Sequence, residues 1–245
     1  MKPRVTNHKN SALTRTEAVV VIAVLALLAF WFLPIFMAWY SRIPGSPASS
    51  YGMTCINNLK EISLGYEVWA GDNNGKYPME ISVANGGTME LAESGDVVKT
   101  FQLMSNELST PKILYCPCDR QKTNAAGFDL DFTAKNISYF IGLDASSNRP
   151  QTVLAGDANL AINGVPVNSG LLQFSTKTLV TWTSSRHVPF NVHFWTPDSK
   201  RHVGNIAFAG GSINSWIYPI WQTEDETLSQ AFTNSGLATN RLAIP

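Results

Sequence analysis

The sequence predicts an α+β protein in which an N-terminal transmembrane helix precedes a helix packed on a small antiparallel β-sheet. Three observations support this prediction. Residues 18–38 contain no charged side chain. Apolar residues then recur every three or four positions between residues 53 and 69, the period of an amphipathic helix. Beyond residue 110, short apolar runs bounded by Gly, Asn, Asp and Pro are typical of strands.

The apolar segment 18–38 is long enough to cross a membrane. Its 21 residues, at about 1.5 Å per residue, match the roughly 30 Å hydrocarbon layer of a bilayer. Four basic residues precede it and one follows closely: Lys2, Arg4, Lys9 and Arg15, then Arg42. This bias places the N-terminus in the cytoplasm and the rest of the chain outside. A cleaved signal peptide is the rival interpretation, but its apolar region is usually only about 7 to 15 residues long.

The outer part of the chain divides into a linker and one domain. Residues 41–50 hold two prolines and four serines, which indicates an exposed linker, and residues 51–245 form the predicted globular domain. Its first helix is predicted to end before Gly71, and its core-facing residues are Met53, Ile56, Leu59, Ile62, Tyr66 and Trp69.

Further elements are predicted downstream from shorter patterns. Residues 91–108 suit a helix closed by Pro111. Strands are predicted at 113–115, 137–141, 152–155 and 178–182. Residues 205–209 and 212–216 form a predicted hairpin around a two-residue turn, Gly210-Gly211.

Composition argues against several function classes. The chain has 18 basic and 18 acidic residues, so its net charge favours no nucleic-acid partner. It contains no Gly-x-Ser-x-Gly motif, phosphate loop or dinucleotide fingerprint, and we therefore expect no enzyme activity, catalytic residue or cofactor.

Four possible metal ligands or catalytic groups fall within sixteen residues: His187, His193, Asp198 and His202. Their spacing matches no familiar zinc signature. We expect surface-loop histidines and no metal site. A surface hydrolase that uses these histidines is the less favoured reading.

The leader carries a resemblance to a known family. After a short basic stretch, the sequence reads Ser11-Ala12-Leu13-Thr14-Arg15-Thr16-Glu17. This resembles the processing site of type IV prepilins and type II secretion pseudopilins. The resemblance implies a leader of residues 1–12, a cut between Ala12 and Leu13 by prepilin peptidase, and a mature membrane helix over 13–40. Glu17 then becomes the fifth mature residue, although family members usually carry glycine where this chain has Ala12.

Later segments are similar to those of a large group of bacterial pseudopilin-like proteins. They are CINNLK at 55–60, DNNGKYP at 72–78, ILYCP at 113–117, SYFIG at 138–142, LAGD at 154–157 and RHVGNIAFAGG at 201–211. The last segment departs from the group's closing motif, because Gly210 and Ser212 stand where aspartate and histidine are usual. The resemblance implies a pilin-like fold and a structural subunit of a type II secretion or type IV pilus-like assembly. It also implies a single-pass protein of the bacterial inner membrane, with lipid, prepilin peptidase and sibling subunits as partners.

Two roles are open for Glu17. A carboxylate at the margin of hydrocarbon needs a cation or hydrogen-bond donors. In the family, this glutamate is thought to pair with the new α-amine of a neighbouring subunit. Alternatively, Thr14 and Glu17 form a capping box at the start of the helix.

The cysteines also leave alternatives open. The resemblance implies a disulfide between Cys55 and Cys116, because both lie in matched segments; otherwise all three cysteines are free and buried. Cys116-Pro117-Cys118 lacks the two-residue spacing of redox enzymes, so we expect no thiol oxidoreductase.

A different function class competes with the structural subunit. An uncleaved, membrane-tethered module could bind a ligand such as a glycan through exposed Trp and Tyr side chains. The state of the N-terminus in the native membrane separates the two, because only the pilin route yields a methylated Leu13.

Overall fold

The computed structural model describes residues 14–40, 47–129, 131–183, 204–216 and 225–245. It confirms an α+β protein with an apolar N-terminal helix and antiparallel sheets. Helix α1 spans Arg15–Tyr40 and contains Pro34. Helix α2 spans Pro47–Asp72.

Helix α2 is longer at both ends than predicted. It begins at Pro47, so residues 47–50 of the predicted linker are helical. Proline is accepted in a first helical turn because its missing N–H would have no intrahelical partner there. The helix continues through Gly71 to Asp72 and stops where Asn74 and Gly75 adopt positive φ angles of 57° and 74°.

One face of α2 forms part of the core, as its periodicity predicts. The buried apolar residues of this helix are Cys55, Leu59, Ile62, Tyr66, Trp69 and Ala70, while the predicted core residue Ile56 is half-buried. Burying a side chain such as Leu59 or Ile62 contributes about 1.5 to 3 kcal/mol. The prediction was wrong for Met53, which is exposed, because Cys55 rather than Met53 continues the buried stripe.

The predicted helix over 91–108 is broken into three short helices. They are α3 (Met89–Glu93), α4 (Val97–Leu103) and α5 (Ser105–Leu108). Gly95 has a φ of 88°, which ends the first segment, and Asp96 caps α4 by accepting the N–H groups of Val98 and Lys99. The predicted strand at 113–115 is also wrong, since Pro111–Leu114 is a 3₁₀ turn.

The described chain forms two antiparallel sheets. Their strands are β1 (Tyr139–Gly142), β2 (Val153–Asp157), β3 (Leu160–Ile162), β4 (Val165–Pro166), β5 (Gly170–Ser175), β6 (Val180–Trp182), β7 (Gly204–Phe208), β8 (Ile213–Trp216) and β9 (Thr239–Ile244). The larger sheet has the order β5-β9-β1-β2-β7-β8, and the smaller has β4-β3-β6. Strands β1, β2 and β6 confirm three of the predictions.

The hairpin of β7 and β8 is confirmed, but its turn differs. The N–H of Gly211 donates to Phe208 O at 2.9 Å, and the N–H of Phe208 donates to Ser212 O at 2.9 Å. Gly211 has a φ of 75°. The loop therefore contains Ala209, Gly210 and Gly211, a three-residue turn that ends in a left-handed glycine.

Strand β1 of the larger sheet is buried on both faces. Tyr139 and Ile141 of β1 join the core that includes α2, while Phe140 joins a second core. The second core contains Leu228 and Phe232 of helix α6, which spans Asp225–Thr233. Because both faces are covered, β1 reads as a continuous apolar run without polar alternation.

Gly142 lies where the backbone of β1 passes close to the backbone of β2. A Cβ at Gly142 would lie 1.9 Å from the carbonyl oxygen of Val153. We expect Gly142→Ala to lower the free energy of unfolding by about 3 kcal/mol, since a backbone neighbour cannot rotate away. Chemical denaturation of the full chain in detergent, followed by tryptophan fluorescence, measures the loss.

Gly71→Ala is the matched control, because a Cβ there meets nothing within 4 Å. We expect it to be neutral or to stabilise the helix by up to about 1 kcal/mol. Equal losses for both variants would contradict the packing described for Gly142.

Candidate functional site

Helix α1 presents apolar side chains on all sides. Within Arg15–Met37, the most apolar window of 18 residues has a mean hydropathy of 2.9 and no buried residue. Within the described part of the chain, it is the one helix long and apolar enough to cross a membrane. Water would be a poor solvent for such a surface.

Thr14 and Glu17 form a capping box at the first turn of α1. Glu17 Oε2 accepts hydrogen bonds from the N–H and the hydroxyl of Thr14, each at 2.9 Å. In return, the N–H of Glu17 donates to Thr14 Oγ1 at 3.3 Å. The helix-start role of these residues is thus present in the single chain. The predicted cleavage residues Ala12 and Leu13 lie outside the described residues.

A disulfide joins α2 to the loop that follows the 3₁₀ turn. Its partners are Cys55 and Cys116, the pair that the resemblance implies, with a Cα–Cα distance of 5.2 Å and a sequence separation of 61. The N–H of Cys116 donates to Ser138 Oγ at 3.0 Å. One turn after Cys55, Asn58 Nδ2 donates to Tyr115 O at 2.8 Å. The start of α2, this loop and the start of β1 are therefore held together.

A free thiol and two buried carboxylates lie beside the disulfide. Asp157 Oδ2, at the end of β2, accepts the backbone N–H of Asn205 at 2.7 Å and its Nδ2 at 2.8 Å. Asp119 Oδ1 accepts the N–H of Gln121 at 3.1 Å. Both carboxylates are fully buried, while the free thiol of Cys118 is half-buried.

This environment disfavours ionisation of its neighbours. Burial, and then the charges of Asp157 and Asp119, raise the pKa of Cys118 to about 11. Burial also raises the pKa of Tyr139 well above its usual value, and Asp157 adds to the shift. We did not predict either aspartate as a buried group; the only sequence signal was the presence of Asp157 in a matched segment.

A second set of contacts lies just beyond the C-terminal end of α2, where Tyr77 meets the β7–β8 turn. The hydroxyl of Tyr77 donates to Ala209 O at 3.1 Å, and the N–H of Gly210 donates to Pro150 O at 3.0 Å. A Cβ at Gly210 would lie 2.8 Å from Pro150 Cβ. The aspartate usual in the closing motif would therefore require Pro150 to move.

The segments that carry the resemblance contact one another. Segment 55–60 bonds to 113–117 and reaches Tyr139 through Asn58, and 154–157 bonds to Asn205. The DNNGKYP loop reaches the closing segment through Tyr77. These contacts give the described parts of the motifs a common role in packing the domain.

The remaining predicted features are either buried or outside the described residues. His187, His193, Asp198 and His202 lie outside the described residues. Of the Trp and Tyr side chains described beyond residue 53, Tyr115 is half-buried and the rest are buried: Tyr66, Trp69, Tyr77, Tyr139 and Trp182. This part of the domain therefore offers no exposed aromatic surface for a glycan.

Comparisons of the chain with protein-family models, with curated proteins and with solved structures found no match in any of the three.

Loss of the disulfide should weaken the domain substantially. We expect Cys55→Ala to lower the free energy of unfolding by about 4 kcal/mol, the loop-closure value for a separation of 61 residues. Denaturant unfolding in detergent measures the change. Adding a reductant should lower the stability of the parent chain by a similar amount and leave the variant almost unaffected; a variant as stable as the oxidised parent would argue against a supporting role for this bridge.

Proposed function

We propose that this chain is a membrane-anchored, pseudopilin-like structural subunit of a type II secretion or type IV pilus-like assembly. In this proposal, α1 lies in a bacterial inner membrane with its N-terminus in the cytoplasm. Prepilin peptidase removes residues 1–12 and the new N-terminus is methylated. The domain that begins with α2 lies outside and has a structural role without enzyme activity.

The observation that supports this proposal most strongly is the uncovered surface of α1. Its apolar side chains have no buried partner within the described chain, so lipid and neighbouring helices are the environments that suit them. In lipid, helices associate through close packing and polar pairs, because the hydrophobic effect does not drive them together. Between Glu17 and Tyr40 the sequence has no charge, which makes Glu17 the polar group suited to such a pair.

The capping box leaves Glu17 capacity for a cation. Both hydrogen bonds from Thr14 end on Oε2, whereas a carboxylate has about four acceptor positions on its two oxygens. Cleavage before Leu13 would create an α-amine four residues from Glu17, about one helical turn away. Because Thr14 occupies only Oε2, an amine from a neighbouring subunit can pair with Glu17 without displacing Thr14.

One observation favours the alternative, an uncleaved membrane-tethered binding module. Thr14 already bonds to Glu17 within a single chain, so the carboxylate has a capping role even if no subunits assemble. The buried aromatic side chains of the described domain, by contrast, weaken the case for a glycan surface.

Mass spectrometry of the N-terminal peptide from the native membrane separates these functions. The subunit proposal predicts a chain that begins with methylated Leu13. An intact Met1 leader on the whole population would instead support the tethered module.

Two variants separate the assembly role of Glu17 from its capping role. Glu17→Gln removes the charge but keeps an acceptor for the cap, whereas Thr14→Val removes the capping hydroxyl and keeps the charge. Interhelical polar contacts in membranes contribute about 1 to 2 kcal/mol, so we expect Glu17→Gln to reduce cross-linking between α1 helices about tenfold. Thr14→Val should change it less than about twofold.

Membrane insertion of both variants is the control, and it should match that of the parent chain. If the two variants lost cross-linking equally, or if neither lost it, Glu17 would have no assembly role.

A further inference from the structure

The third cysteine lies within reach of the disulfide. The sulfur atoms of Cys55, Cys116 and Cys118 all lie within 4.8 Å of one another. Cys116 and Cys118 are separated by one proline on the same loop, while Cys55 faces them from α2. The Cys116 and Cys55 sulfurs are buried, and Cys118 is half-buried at the edge of the same core.

We propose that these three residues form a thiol–disulfide exchange centre in which Cys118 is the internal nucleophile. In the exchange step, the Cys118 thiolate attacks Cys55 Sγ. A Cys55–Cys118 bond forms, the Cys55–Cys116 bond breaks, and Cys116 leaves as a thiolate that takes up a proton. The number of disulfides is unchanged, so the step needs no oxidant or reductant.

The same centre can restore an internal bridge after attack by an external thiol. When local opening exposes the buried bridge, a small thiol such as glutathione attacks the disulfide at Cys55, forms a mixed disulfide with it and releases Cys116. Cys116 or Cys118 then attacks Cys55 Sγ, glutathione departs as its thiolate, and attack by Cys118 gives the Cys55–Cys118 bond. Because Cys118 is held within a few ångströms, this resolution is intramolecular and needs no second thiol from solution.

The surroundings of Cys118 set the rate of this exchange. Its pKa of about 11 leaves only about one thiol in ten thousand ionised at pH 7, and the thiolate is the attacking species. Exchange should therefore be slow near neutral pH and rise about tenfold per pH unit until the pH approaches that pKa. Burial and the neighbouring carboxylates thus protect the resting Cys55–Cys116 bridge.

Trapping of the exchanged bridge tests the proposal in the full chain in detergent. The oxidised parent chain is held at pH 9 without added thiol, free thiols are then blocked with an alkylating reagent, and peptide mapping locates the label. We expect label on Cys116 as well as on Cys118, because the exchange step frees Cys116, whereas Cys118→Ser, which keeps the native disulfide, should carry no label. Label confined to Cys118 in the parent chain would overturn the proposal.

A second variant tests the alternative bridge directly. Cys116→Ser leaves Cys55 and Cys118, and we expect these to pair when oxidised glutathione is supplied, giving a chain without free thiols. Non-reducing peptide mapping identifies the Cys55–Cys118 link. Two alkylatable thiols, or stable glutathione adducts on both, would contradict the geometry, and the labelling of Cys116 in the parent chain remains decisive if this variant fails to fold.

Discussion

Helix α2 is the element around which the outer domain is organised, because its buried face packs against the larger sheet, against α5 and against the 3₁₀ turn Pro111–Leu114. Near its start, the disulfide of Cys55 and the side chain of Asn58 hold the loop that leads to β1. Near its end, Tyr66 packs edge-on against Tyr77, whose hydroxyl reaches the β7–β8 turn. A helix fixed at both ends in this way sets the positions of the loop that carries Asp119 and of the strand end that carries Asp157.

The two long helices have similar lengths but different surfaces. Helix α2 has one apolar face and buries it against protein. Helix α1 is apolar on all sides, and its side chains pack against no other part of the described chain. A lipid bilayer is the environment that suits such a surface. This difference favours a membrane environment for α1 and underlies the proposed function. In that proposal, the cap by Thr14 accommodates the charged Glu17 where the apolar part of α1 begins.

Three signals predicted the parts of the fold in which local sequence and burial agree: the uncharged apolar run predicted α1, periodicity predicted α2, and apolar runs around a glycine pair predicted the β7–β8 hairpin. They missed β5, in which the apolar Leu171 is exposed, and β9, which depends on pairing with distant strands. The apolar run at 113–115 resembles a strand, but Pro111 and the Thr110 cap favour a tight 3₁₀ turn. Buried carboxylates are hard to find from sequence, because an aspartate at a strand end usually lies in solvent. The closeness of Cys118 to the bridge likewise arises only when α2 and its facing loop come together.

Membrane extraction tests the central claim most directly. Native membranes are washed with alkaline carbonate and then with detergent, and the chain is compared with a variant that lacks residues 18–38. We predict that the native chain stays in the carbonate-washed membrane, enters solution only with detergent, and retains residues 18–38 by peptide mapping. The deletion variant should be released without detergent. A native chain found in the soluble fraction without its apolar segment would contradict the anchored subunit.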